Sequence, residues 1–211
     1  MIPTPLTHHL DFENIYEPAE DSFLLLDALE QDLVYISQTL KPTICVEIGS
    51  GSGIISSALA ASLSPMTHVI ACDINPEACK GTKTTSKVNQ VHLDVLELDF
   101  VKFFPLRSQC IDLLVCNPPY VATSVEESRT QISASWAGGS LGRHLTDTLI
   151  TRLPQLLSED GCAYIVLEQC NRPQEVQQMA QAIPKLETEI ILSRRAGREH
   201  LQVLKIRNKS C

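Results

Sequence analysis

Short apolar runs alternate along this chain with stretches whose apolar residues recur at helical spacing. Residues 44–48, 68–72, 111–116 and 162–167 are too short and too uniformly apolar for surface helices, and they read as buried strands. Helical patterns fill 54–63, 76–87, 145–157 and 173–183. An earlier helix opens within Tyr16 to Ser22, with Pro18 at an early helical position and acids where the macrodipole favours them. Phe23, Leu24, Leu26, Ala28, Leu29 and Leu33 give it an apolar face, and Pro42 ends the segment. Residues 91–98 alternate apolar and polar as a half-covered strand does, with Asp99 at their end. Strands at 188–193 and 200–206 flank Ala196-Gly197 and form an antiparallel hairpin at a sheet edge. This rhythm predicts an α/β fold on a mostly parallel sheet, one domain over residues 16–211 after a loosely ordered lead-in at 1–15. The stretch from Val121 to Gly142 has little periodicity, and a loop of that length in a compact domain is usually functional.

Composition narrows the class. A chain of 211 residues, 44% apolar and 20% charged, suits a single globular domain with one sizeable core. No apolar run approaches the roughly 20 residues that span a bilayer, and the first residues lack the pattern of a secretion signal. A cytosolic or nuclear location is therefore expected. Eight cysteines include no C-x-x-C pair, and four of them, Cys45, Cys72, Cys116 and Cys162, lie in strand-like runs, where they act as reduced core residues; no zinc site is expected. A formal charge of −8 argues against tight non-specific adhesion to nucleic acid. The local basic groups, Arg194, Arg195 and Arg198, then Lys205, Arg207 and Lys209, read as solvated faces.

Candidate chemistry begins where the first strand breaks into Gly49-Ser50-Gly51-Ser52-Gly53 ahead of a helix. Such a turn lets a ligand approach the backbone and the unpaired N–H groups of the helix. The dinucleotide pattern G-x-G-x-x-G would need glycine at position 54, which is Ile54 here. Glu47 beside the turn would repel a pyrophosphate, but it suits a ligand carrying an ammonium and a sulfonium, which favours S-adenosylmethionine over NAD. Asp73, at the end of the second strand and 20 residues past Gly53, is placed to hold ribose hydroxyls. Asp99 can accept from an adenine amino group.

Asn117-Pro118-Pro119-Tyr120 follows the fourth strand. Two prolines cannot continue a sheet ladder, so Asn117 is held at the strand's end with its amide projecting out of the sheet. Methyl transfer needs a nucleophile in line with the S–CH3 bond, and orientation supplies much of the rate. A planar NH2 group is poorly nucleophilic because its lone pair is delocalised. Acceptance of its N–H bonds by the Asn117 amide oxygen and the Pro118 carbonyl would aim that lone pair at the methyl, while Tyr120 stacks on the planar group.

The segments Glu47-Ile-Gly-Ser-Gly-Ser-Gly53, Asp73-Ile-Asn-Pro76 and Asn117-Pro-Pro-Tyr120 resemble the class I S-adenosylmethionine-dependent methyltransferases that modify planar nitrogens. Tyr16-Glu-Pro-Ala-Glu-Asp-Ser22, and Trp136-Ala-Gly-Gly139 with Gly142-Arg143, narrow the resemblance to the HemK-like branch in its short eukaryotic and archaeal form. That branch methylates the glutamine of the Gly-Gly-Gln motif of translation release factors. The resemblance implies a Rossmann-like, seven-stranded sheet with a reversed last strand, and a heterodimer with a small zinc-binding activator protein. It carries cofactor roles to Ser22, Glu47, Gly49, Asp73, Asp99, Phe100 and Asn117, alongside Gly51 and Gly53 of the turn. Substrate-glutamine roles fall to Asn117, Pro118, Pro119 and Tyr120. Ser140-Leu141 depart from the family's more polar pattern.

Other readings stay open at this level. An exocyclic adenine amine has the same planar geometry, so N6-adenine methylation of DNA or RNA competes, as does lysine methylation or a non-catalytic binding module. Residues 91–98 carry a further expectation. At a sheet edge they would be an aggregation liability, and the activator protein is expected to cover them by strand addition.

Overall fold

In the computed structural model, which describes residues 1–100, 102, 103, 105, 107–120 and 142–209, helices and strands alternate along the chain. They run α1 (Glu20–Gln31), β1 (Ile44–Ile48), α2 (Ile54–Ser62), β2 (His68–Asp73), α3 (Pro76–Val88), β3 (Asp94–Glu97) and β4 (Ile111–Cys116). Then come α4 (His144–Leu156), β5 (Leu157–Glu168), α5 (Pro173–Gln181), β6 (Leu186–Ala196) and β7 (Glu199–Asn208). One seven-stranded sheet takes the order β3-β2-β1-β4-β5-β7-β6. The first five strands in that order are mutually parallel, and β7 runs antiparallel between β5 and β6. The reversed last strand and the terminal hairpin are as the sequence implied.

The uniform apolarity of the central strands comes from burial on both faces. Leu113 and Val115 join α1 and α2 in one core cluster, while Leu114 and Cys116 join α4 and α5 in the other. Residues 162–167 alternate in the same way, odd and even sides being equally dry. Cys45, Cys72, Cys116 and Cys162 are all buried core residues.

Four expectations need correction. Pro18 lies before α1, whose N-cap is Ala19, so it precedes the helix rather than opening it. Phe23 is 37% exposed and stands off the apolar face of that helix. Residues 91–98 yield only a four-residue strand, Asp94–Glu97, because Val91 folds back onto the end of α3 through Ser86. Lys205 is buried: its ammonium donates to Asp32 at 2.5 Å and sits 3.9 Å from the centre of the Tyr35 ring. That pairing ties the chain after α1 to the hairpin. Residues 1–15 carry no helix or strand, yet Ile2 and Ile15 are buried, and Leu6 exchanges two backbone hydrogen bonds with the Asn89 side chain.

Asp112 fastens the end of the sheet opposite the glycine turn. One of its oxygens accepts from Thr43 N, Thr43 Oγ1 and Ile44 N, and the other accepts from Ser158 Oγ. Partial burial pushes this carboxyl up, but the hydrogen bonds from Ser158, Thr43 and Ile44 outweigh it and hold the group below its ordinary range. Its stabilisation is present above the unfolded-state pKa and is lost as pH falls through the lower folded value. Asp112→Ala should destabilise the protein by about 2–3 kcal/mol near neutral pH. Urea denaturation checks this, and the gap from wild type should narrow under acid conditions.

Candidate active site

The strand order reverses direction beside β1. The chain steps outward from β1 to β2 and β3, then crosses to β4 on the other side. Connections therefore diverge at the carboxyl ends of β1 and β4 and leave a crevice, the place where open α/β sheets bind ligands. A cleft of about 620 Å³ opens there. Its lining includes Ser22, Glu47, Gly49, Gly51, Asp73, Asp99, Phe100 and Asn117 to Tyr120. These are the residues singled out by sequence, from positions scattered between Ser22 and Tyr120.

Gly53 is the exception. It does not line the cleft, and a methyl group at its α-carbon would sit 2.7 Å from the Thr82 backbone of α3. Its φ of +77° also suits glycine. Glycine at this position turns the chain and brings α2 against α3.

Strand alternation explains where Glu47 points. It shares a face of β1 with Cys45, the face that packs on α2, and it is 2% exposed. Its Oε2 accepts from Ser56 N at 3.0 Å and from the Ser56 hydroxyl. The carboxylate thus caps the first turn of α2 while lining the cleft. Burial pushes its pKa up to about 8, against the opposing pull of the Ser56 hydrogen bonds.

Asp73 ends β2 and is also buried. One oxygen accepts from Gly51 N at 2.9 Å and the other from Asn75 N at 2.8 Å, so the acid draws the glycine turn towards itself. Burial raises this carboxyl as well, partly offset by those backbone N–H groups. Asp99 lies two residues beyond the end of β3 and pairs with Lys102 at 2.8 Å. Phe100 is buried, with the Arg152 guanidinium 4.7 Å from its ring centre and donating to its carbonyl at 2.6 Å. Among the described residues five acids face this cleft, Asp21, Glu47, Asp73, Asp99 and Glu199. The arrangement suits a cationic ligand.

On the other wall, Asn117 presents a buried amide oxygen that accepts no hydrogen bond among the described residues. Such an orphan normally costs about 1–3 kcal/mol, and it marks a place where a donor belongs. Pro118 and Pro119 lock the backbone beside it.

Sequence reasoning missed what holds this loop. Asn171, in a turn after β5, is 2% exposed and donates to the Tyr120 carbonyl at 3.0 Å and the Gly142 carbonyl at 3.3 Å. Its own amide oxygen accepts from Glu168 N at 3.1 Å. Gly142 has φ of +64°, and a methyl group there would lie 2.0 Å from the Tyr120 oxygen, so only glycine closes this contact. Arg143 is anchored to Asp147 at 2.9 Å and to Glu175 at 3.1 Å. Nothing in the local sequence around Asn171 announces a partner 51 residues away. Trp136 to Gly139, which carried part of the family resemblance, and Ser140-Leu141, which depart from it, lie outside the described residues, as does nearly all of the stretch from Val121.

A sheet of this order, with a glycine turn, an acid ending β2 and an Asn-Pro-Pro-Tyr wall, defines a Rossmann-like class I methyltransferase. The family model for the methyltransferase small domain matches residues 20–190. The human protein named methyltransferase HEMK2 is 42% identical over 96% of this chain and 95% of its own length. The Schizosaccharomyces pombe eRF1 methyltransferase catalytic subunit mtq2 is 36% identical over 98% of this chain and 96% of its own. The E. cuniculi Mtq2-Trm112 complex, described as responsible for methylation of the eRF1 termination factor, contains a chain with the same fold. Its TM-score is 0.72 at 23% identity, over 93% of this chain and 99% of that one. The chain belongs to the methyltransferase small domain family, in its HemK-like branch.

The raised pKa of Glu47 has a definite sign. An acid whose folded pKa exceeds its unfolded value binds more protons when folded, so it weakens the fold as pH rises through the interval between them. The unliganded protein should therefore lose stability between the ordinary value of 4.5 and about 8. Urea midpoints for Glu47→Gln across that interval should decline less steeply than for wild type. Equal slopes would show that Glu47 is ionised throughout.

Proposed function

We propose that this protein transfers a methyl group from S-adenosylmethionine to the side-chain amide nitrogen of the glutamine in the Gly-Gly-Gln motif of a translation release factor. The observation that carries the reading is the orphaned amide oxygen of Asn117, an acceptor with no partner among the described residues at the wall of an acid-lined cleft. A primary carboxamide supplies the missing donor and is electrically neutral, so it needs no base to be desolvated.

S-adenosylmethionine, when bound, supplies an electrophilic methyl on a sulfonium. Each residue's part is set by its place. Asp73, its carboxyl held in place by the Gly51 and Asn75 backbone N–H groups, would accept from ribose hydroxyls. Asp99 and Phe100, which line the cleft, would hold the adenine, and Ser22, Glu47, Gly49 and Gly51 would hold the cationic end. Asn117 Oδ1 and the Pro118 carbonyl take the two N–H bonds of the glutamine amide, which orients its nitrogen lone pair. Tyr120 stacks on the amide plane and excludes water. Transfer would form the N–C bond as the S–CH3 bond breaks with its electron pair left on sulfur, so that S-adenosylhomocysteine leaves and the nitrogen gives up one proton to solvent.

The name of the S. pombe relative, an eRF1 methyltransferase catalytic subunit, supports both the substrate and a second subunit. In this chain the place for that subunit is β3, which ends the sheet at one edge and is partly exposed. Strand addition by a small activator protein would satisfy its outer backbone groups.

Two experiments test the proposal. Mass spectrometry of a candidate release factor should find one added methyl on the Gly-Gly-Gln glutamine with wild type. With Asn117→Ala the yield should drop at least about 100-fold, although calorimetry shows the cofactor still bound. Label transferred to duplex oligonucleotides and not to release factor would sink the reading. For the activator, the chain expressed alone should be poorly soluble or weakly active, and co-expression should restore it; a monodisperse, fully active lone chain would overturn the edge-strand assignment.

A further inference from the structure

Tyr120 is gripped at both ends. Its carbonyl is held by Asn171, and its hydroxyl meets groups from two other parts of the chain. The Tyr120 hydroxyl faces Tyr16 and Asp21, both of which bear on its phenol, and it lies 3.5 Å from Glu199 Oε2 on β7. Tyr16 in turn donates to Asp21 Oδ2 at 2.8 Å. Asp21 is 2% exposed, and its other oxygen accepts from Ser22 N at 2.6 Å and Ser22 Oγ at 3.1 Å, so the first turn of α1 fixes its orientation. On its far side Tyr16 packs on the glycine turn: a methyl group on Gly51 would be 3.9 Å from the Tyr16 β-carbon.

We propose that Tyr16, Asp21 and Glu199 are positioning residues that set the plane of the Tyr120 ring, joining the glycine turn to the acceptor loop through one hydrogen-bonded brace. The inference rests on the proposed role of Tyr120 as the stacking wall of the acceptor pocket. A stacking ring works only in one orientation, and a tyrosine anchored by its backbone alone keeps rotation about its side-chain bonds. The part-buried hydroxyl restricts that freedom, since leaving it without partners carries a desolvation cost. Burial pushes both phenols well above their ordinary range, so they stay protonated and retain the hydrogens the brace requires.

The test is a double-mutant cycle in steady-state methylation, using Tyr16→Phe and Tyr120→Phe, each of which removes one hydroxyl and keeps the ring. Each single variant should lower kcat roughly 10-fold, within the range that misplacement costs. Acceptor KM and cofactor Kd should stay within about twofold of wild type. The double variant should be no worse than the weaker single one, because both break the same brace. Losses that multiply, or a Tyr16→Phe effect confined to cofactor Kd, would overturn the proposal. The cycle is run on whichever acceptor wild type methylates, so transfer to an adenine oligonucleotide would defeat the glutamine reading while the brace is still judged by additivity. A second readout needs no turnover. In protein labelled with 13C at the tyrosine Cζ, Tyr16→Phe should shift the Tyr120 resonance, and an unmoved resonance counts against the brace.

Discussion

Burial of both faces of the central parallel strands is the constraint that shapes the site. Leu113 to Cys116 and Cys162 to Leu167 face a packed helix layer on either side, so polar side chains cannot leave these strands along their length. Functional groups emerge only where the strands end. Asp73 and Asn117 occupy such ends, and the crossing from β3 to β4 separates the connections enough to leave a cleft between them. Chemistry is gathered at one rim of the sheet because the rest of the sheet is dry.

Charge at that rim is tied to folding. Glu47 caps α2, Asp73 pins the glycine turn, and Asp21 orders the start of α1, so each acid is held by backbone N–H groups before any ligand arrives. Those N–H groups come from helix starts and turns, which favour negative charge. The cost is the elevated proton affinity of Glu47 and Asp73, a direct result of taking carboxyls out of water. A cationic ligand in the cleft relieves that cost. Electrostatics therefore links cofactor choice to the stability of the empty protein.

The acceptor loop is organised from outside itself. Its strand delivers Asn117, and its prolines stiffen the backbone leading to Tyr120. The carbonyl of Tyr120, however, is fixed by Asn171, and its hydroxyl by groups from the chain before α1 and from β7. A loop that must hold a neutral, weakly nucleophilic amide needs such outside support, because no charge on the acceptor guides it into place.

What the sequence determined by itself was local. Apolar runs set β1, β2 and β4 nearly to the residue, and turn chemistry placed the glycine turn and the Asn-Pro-Pro-Tyr segment. Its alternating run at 91–98 overstated β3, since chain folded back on α3 removes the first residues from the ladder. Only the tertiary structure decided the rest. It showed that Gly53 serves helix packing and that Lys205 is buried against Asp32 and Tyr35. Asn171 and Glu199 also became visible only as they met Tyr120 across 51 and 79 residues of chain. Periodicity and turn preference act between neighbours in sequence, whereas a hydrogen bond across the fold leaves no spacing to read until the sheet order brings its partners together.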